Sequence, residues 1–254
     1  MKICLVTGGS RGIGAAVVRR LAVAGHFVYI NYRQDDVAAQ ALADDLLAEG
    51  KQVELARADV ASRDEVRQVF QSIRAGHGRL DVLVHSAAPP LVPKALSKLD
   101  WSADVMPQIE TGCHGFLNCV QEATPLLPAG GRIVVLLTEA LFHKPPVQMG
   151  AYLAAKGALL GLARAAASEA APHQVRVNCV LPGLIETPML LQLDPKAPLQ
   201  VIRDMLGKGV PMGHIGTAEE LAEMACFLLS DRASHITAQA IAVDGGILGT
   251  HSTR

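Results

Sequence analysis

The chain has 254 residues, of which 50% are hydrophobic, 19% charged and 4% aromatic, with 23 Lys and Arg against 24 Asp and Glu for a formal net charge of -1. Without an excess of positive charge there is little to neutralise a phosphate backbone, so a nucleic-acid binder is disfavoured, as is steering of an ionic substrate by net charge. Five scattered cysteines (Cys4, Cys113, Cys119, Cys179, Cys226) form no C-x-x-C pair and have no His at ligand spacing, which argues against a disulfide scaffold and a metal site.

The apolar run after Met1-Lys2 stops at Gly8-Gly9, too short for a signal segment, and no apolar stretch approaches a membrane span. A cytoplasmic home is therefore expected. Short apolar runs, expected as strands at 3–7, 27–31, 52–58, 82–85, 133–137, 175–181 and 240–243, alternate with segments of helical period. Helices at 15–24 and 37–49 stop at Gly25 and Gly50, and Ser62 with Glu65 reads as a capping box. The alternation predicts an α/β fold: a single doubly wound Rossmann-type domain over 1–254, with a seven-stranded parallel sheet and helices on both faces. Residues 186–216, rich in proline and large apolar side chains, read as a helical substrate lid or as a stripe completing the core.

Thr7-Gly8-Gly9-Ser10-Arg11-Gly12-Ile13-Gly14 follows the first strand and opens the first helix. There glycines allow backbone to approach a pyrophosphate, and the helix N-terminus supplies unpaired N–H groups. The second strand ends Asn31-Tyr32-Arg33 with no acid for a ribose hydroxyl, and Arg33 with Arg11 favours the extra phosphate of NADP(H). Asp35 and Asp36 oppose that preference by repulsion. The G-x-x-x-G-x-G spacing resembles the short-chain dehydrogenase/reductase family. That resemblance implies adenine contact by Asp59-Val60 and cofactor contact by Ser86, Ala87 and Ala88, where His85-Ser86-Ala87-Ala88 replaces the family's Asn-Asn-Ala-Gly. His85 reads as a backbone-bonded or satisfied core histidine.

Tyr152 and Lys156 stand four residues apart on one face of an apolar Ala/Leu helix. An ammonium near a phenol favours phenolate, and such a pair can move a proton at a carbinol oxygen while a nicotinamide moves hydride. Downstream, 176–189 resembles the family's sixth strand and Pro-Gly turn, which implies nicotinamide contacts by Pro182, Gly183, Ile185 and Thr187. The likeness covers nearly the whole chain and implies a homodimer or homotetramer paired through the Tyr152 helix.

Two further positions depart from the family pattern. Its substrate-binding serine falls on Thr138 when counted from Arg132 and on Glu139 when counted back from Tyr152, with Thr138 preferred because strand register is the firmer anchor. Its helix asparagine falls on Gln108 counted from Trp101 and on Thr111 counted from Phe116, in a helix that Pro107 should interrupt. The leading expectation is an NADPH-dependent ketoreductase resembling 3-oxoacyl-(acyl-carrier-protein) reductases, acting on a small or carrier-bound carbonyl compound, with Tyr152, Lys156 and Thr138 catalytic. Alternatives are a weakly active nucleotide-binding partner subunit and a carbon–carbon double-bond reductase, whose family relatives often space Tyr and Lys differently. Lys144 reads as a surface lysine or as a contact for a carrier's phosphate.

Overall fold

The computed structural model describes residues 1–143, 145–191 and 198–249. Its first half runs β1 (Ile3–Thr7), α1 (Gly12–Val23), β2 (Phe27–Tyr32), α2 (Asp36–Ala48), β3 (Gln52–Arg57), α3 (Arg63–His77) and β4 (Val82–His85). The second continues α4 (Met106–Ile109), α5 (Gly115–Ala123), β5 (Arg132–Leu136), α6 (Gly150–Ala170), β6 (Arg176–Pro182), α7 (Pro188–Leu191), α8 (Leu199–Gly207), α9 (Ala218–Leu228) and β7 (Ala240–Val243). The strands form one seven-stranded sheet in the order β3-β2-β1-β4-β5-β6-β7, and every pairing is parallel. All the expected strands are present, each boundary within one residue of its expected place.

Alternation along each strand sorts the core into two layers. On one face Val6, Val28, Ile30, Val84, Val134 and Val180 pack beneath α1, α2 and α9. On the other, Leu5, Tyr29, Leu83, Ile133, Val135 and Val177 pack beneath α3, α5 and α6. Helices on both faces leave no wet side to the central strands, which is why these read in the sequence as continuous apolar runs. The strand order reverses between β1 and β4, and ligands of such sheets bind outside the carboxyl ends of the strands at that crevice.

Two local expectations are corrected. Ser62 does accept from the Glu65 N–H at 3.4 Å, but the Glu65 carboxylate accepts the Asp59 N–H at 2.8 Å, so only half of the capping box forms. The complete box lies at Thr217 and Glu220, at the start of α9. Pro107 does not interrupt its helix: a wide π turn over Trp101–Val105 leads into α4, and a second over Glu110–His114 leads into α5. Met106 N–H bonds the Trp101 carbonyl and Gly115 N–H the Glu110 carbonyl, and a turn of this kind holds one residue more than an α turn. Within 186–216, α7 and α8 are helical as expected, residues 192–197 lie outside the described residues, and Leu190, Val210 and Ile215 form a small third core.

Candidate active site

Beyond β1 the chain turns through Gly8 to Gly12 and enters α1. Gly8 has φ of +62°, and a Cβ there would stand 2.8 Å from the Ala87 Cα; a Cβ at Gly14 would come within 2.1 Å of the Gly8 carbonyl oxygen. Side chains at either position would force the loop apart. Arg11, at the N-cap of α1, makes no side-chain cap, so the first-turn amides keep their capacity for an anion.

β4 is tied to β1 by the Thr7 hydroxyl, which accepts from Ser86 and Ala87 N–H at 3.1 and 3.2 Å. Behind this knot, His85 is 1% exposed, with Nδ1 3.2 Å from Thr7 Oγ1 and Nε2 3.0 Å from the Gly112 carbonyl. Burial pushes its pKa down to about 3, with the nearby Lys156 adding to the fall and the Gly112 bond opposing it. His85 is a neutral, hydrogen-bonded core residue, as the sequence suggested.

The carboxyl ends of β1 to β6 open into a cavity of about 720 Å³. Gly8, Ser10, Arg11, Gly12, Ile13, Tyr32, Arg33, Asp59, Val60, Ser86, Ala87, Ala88, Thr138, Tyr152, Lys156, Pro182, Gly183, Ile185 and Thr187 all line it. Gly14 sits instead behind the wall, against the Gly8 carbonyl. Arg11 reaches Asp35 at 3.6 Å and Arg33 reaches Asp59 at 3.2 Å, each guanidinium about half exposed at the cavity mouth. Thr111 lines the cavity, whereas Gln108 is buried off its wall and donates to the Pro90 carbonyl at 2.7 Å. Sequence reasoning missed the apolar wall made by Pro89, Pro90, Leu91 and Met149, although the Pro-Pro step directly after β4 was a visible cue.

At the inner end, α6 presents Tyr152 and Lys156, and the turn after β5 presents Thr138 and Glu139. Tyr152 and Thr138 both line this inner end. Burial pushes the Tyr152 pKa up to about 12, the Thr138 hydroxyl pulls it down, and the Glu139 carboxylate adds to the rise. Lys156 lies 5.8 Å from the centre of the tyrosine ring, and burial lowers its pKa to about 8. Thr138 donates to Glu139 Oε2 at 3.0 Å and accepts from Ala140 N–H at 3.3 Å. Of the two residues weighed for the serine position, both reach the cavity; the Thr138 hydroxyl favours the Tyr152 phenolate and the Glu139 carboxylate disfavours it. Lys144 lies outside the described residues.

A phosphate-ready glycine turn and a Tyr–Lys helix at the carboxyl edge of one parallel sheet define a dinucleotide-dependent oxidoreductase. A family model described as "Enoyl-(Acyl carrier protein) reductase" matches residues 8–248. The chain is 33% identical to a 3-oxoacyl-(acyl-carrier-protein) reductase of Staphylococcus epidermidis, over 97% of this chain and 98% of that one. Among solved structures, a double mutant of a Serratia marcescens short-chain dehydrogenase/reductase superposes with a TM-score of 0.88 at 30% identity, over 98% of both chains. A Burkholderia cenocepacia short-chain dehydrogenase in complex with NADP gives 0.86 at 30% identity, over 97% of both chains. The chain belongs to the short-chain dehydrogenase/reductase family and is an oxidoreductase.

Proposed function

We propose that the protein is an NADPH-dependent ketoreductase acting on a 3-oxoacyl thioester or a related apolar ketone, free or carrier-bound. The observation that carries this reading is one continuous cavity joining the glycine turn, two mouth arginines, an apolar wall and the Tyr152, Lys156 and Thr138 side chains. The residues fit the cofactor. Gly8 and Gly14 leave a cradle that a Cβ would fill, α1 offers uncapped amides for the pyrophosphate, and Arg11 and Arg33 offer cations for the ribose phosphate. Asp59 and Val60 would flank the adenine, and Pro182, Gly183, Ile185 and Thr187 the nicotinamide.

When bound, reduced nicotinamide supplies the hydride that reaches the carbonyl carbon. Tyr152 donates the proton to the carbonyl oxygen; a phenol held near 12 by burial is protonated at neutral pH, the form reduction requires. Lys156 holds the ribose and offsets the charge left on Tyr152, and Thr138 positions the carbonyl. Met189, Leu190 and Leu206 continue the apolar wall from α7 and α8, and supply a surface for an acyl chain. The described parts of 186–216, α7 and α8 among them, act as a lid over this wall, pinned where Arg203 grips Glu186 with two bonds of 2.7 Å. The four-residue Tyr152–Lys156 spacing supports carbonyl over double-bond reduction. The free thiols of all five cysteines support a cytoplasmic setting. Among the described residues no helix is long and apolar enough to cross a membrane. The small-residue face of α6 supports pairing into a homodimer or homotetramer.

The test is NADPH binding by fluorescence, followed by NADPH oxidation on adding a short 3-oxoacyl thioester. Turnover that is lost in Tyr152→Phe with NADPH binding intact is the expected result. Tight NADPH binding with no turnover on any ketone would instead point to the partner-subunit reading.

A further inference from the structure

Glu139 puts a carboxylate at the inner end of the cavity, where negative charge develops on a reduced carbonyl oxygen, and it is only 6% exposed. A charge so placed opposes the reaction unless it is engaged otherwise. It is engaged on both oxygens: Oε2 accepts from Thr138 at 3.0 Å and Oε1 lies 3.3 Å from His143 Nε2. Thr138 shares the inner end of the cavity with Tyr152, where its hydroxyl favours the phenolate. The His143 side chain is 28% exposed, so the run Tyr152–Thr138–Glu139–His143 begins in the cavity and ends at the surface. The one-turn helix Glu139–Leu141, capped by Thr138, fixes this geometry, because the same hydroxyl that caps Ala140 N–H also meets Glu139. Elsewhere in the site, Gln108 spends its amide on Pro90 and Lys156 donates to the Leu136 carbonyl.

We propose that Thr138, Glu139 and His143 form a proton path that refills Tyr152 from solvent, a role resting on the ketoreductase reading above. In each turnover the Tyr152 O–H bond breaks as its proton passes to the oxygen of the carbonyl that has received hydride. His143 takes a proton from solvent at Nδ1 as it hands its Nε2 proton to the Glu139 carboxylate, and the neutral carboxyl turns its O–H towards Thr138. It then passes a proton to Thr138 Oγ1 as Thr138 gives its own to the Tyr152 phenolate. The His143 ring returns to its starting tautomer by losing its Nδ1 proton to solvent and gaining one at Nε2, with no net change. One proton crosses from solvent to Tyr152, and no relay residue changes oxidation state.

The experiment follows NADPH oxidation with a short 3-oxoacyl thioester by the full chain and by His143→Ala and Glu139→Gln, with and without added imidazole. His143→Ala is expected to lose about ten-fold or more in kcat, with KM and NADPH affinity unchanged. Imidazole should restore that kcat saturably while leaving the parent enzyme unaffected. Glu139→Gln should lose kcat and resist imidazole, since the missing link lies inward of the rescued one. Parental kcat in either variant overturns the path, as does a His143→Ala deficit that imidazole leaves untouched. A parent enzyme that reduces no ketone overturns the ketoreductase reading and the path together, an outcome distinct from failure of the variants alone.

Discussion

The Lys156 ammonium donates to the Leu136 carbonyl at 2.7 Å, so the last residue of β5 grips α6 one turn beyond Tyr152. This bond anchors the lysine in a pocket that otherwise disfavours its charge, and burial brings its pKa down to about 8. The ammonium is thus fully present well below pH 8, half present near it, and lost as pH rises further. Ketone reduction should therefore decline with a midpoint near pH 8. Lys156→Arg, whose guanidinium does not titrate in this range, should abolish that limb even if its maximal rate is lower. Initial rates from pH 6 to 10 decide it; an unchanged limb in the variant would assign the titration elsewhere.

Arg33 faces the cavity mouth from the end of β2 and shares its charge with Asp59 at 3.2 Å. Replacing it by alanine should weaken NADPH binding by about ten- to a hundred-fold, the scale of a charge-assisted bond, and leave NADH binding nearly unchanged. Fluorescence titration with both cofactors at two salt concentrations measures this. Equal loss for the two cofactors would show that Arg33 shapes the site and does not select the phosphate.

Gly14→Ala would place a methyl 2.1 Å from the Gly8 carbonyl oxygen, a contact only backbone movement can relieve. Stability should fall by about 1–3 kcal/mol, and NADPH affinity should fall with it because the displaced strand end carries the cradle. Thermal denaturation with and without NADPH separates the two effects. A variant that loses affinity at parental stability would mean the loop yields locally.

His85 carries an acid sensitivity. Its pKa falls from the ordinary 6.5 to about 3 on folding, so between those values the unfolded chain binds a proton that the folded one refuses. Stability must then decrease as pH drops through that window, by about 1.4 kcal/mol per pH unit for the single proton. His85→Asn, which keeps polar atoms but cannot titrate, should flatten the dependence of unfolding free energy on pH between 4 and 6. Parallel slopes for the two proteins would remove His85 from the acid response.

The strands were readable because a parallel sheet covered on both faces writes itself as short apolar runs between glycine stops. The glycine turn and Tyr152–Lys156 were readable because their chemistry depends on local spacing. The capping at Ser62 was only half readable: Glu65 had a competitor, the Asp59 N–H, supplied by a turn whose geometry no local pattern encodes. Gln108 and Thr111 were not separable for a similar reason. Counting from either end of that helix assumes a constant number of residues per turn, and the two π turns break the assumption between the anchors. Pro89 to Leu91 join the cavity wall through packing against distant elements, which spacing cannot show.

Those two wide turns have a further consequence for how the polypeptide can change in length. Each stores a residue without lengthening the rod by a full turn, so deleting one residue within Trp101–Val105 or Glu110–His114 can restore α winding while the ends of the helix keep their partners. Asn118 would still bond the Val60 carbonyl and Asp104 would still meet Lys94. The side chain delivered to the cavity at Thr111 would rotate away and another would take its place. This stretch is a dial: insertion or loss of single residues re-selects which side chain faces the bound molecule, with the scaffold left standing.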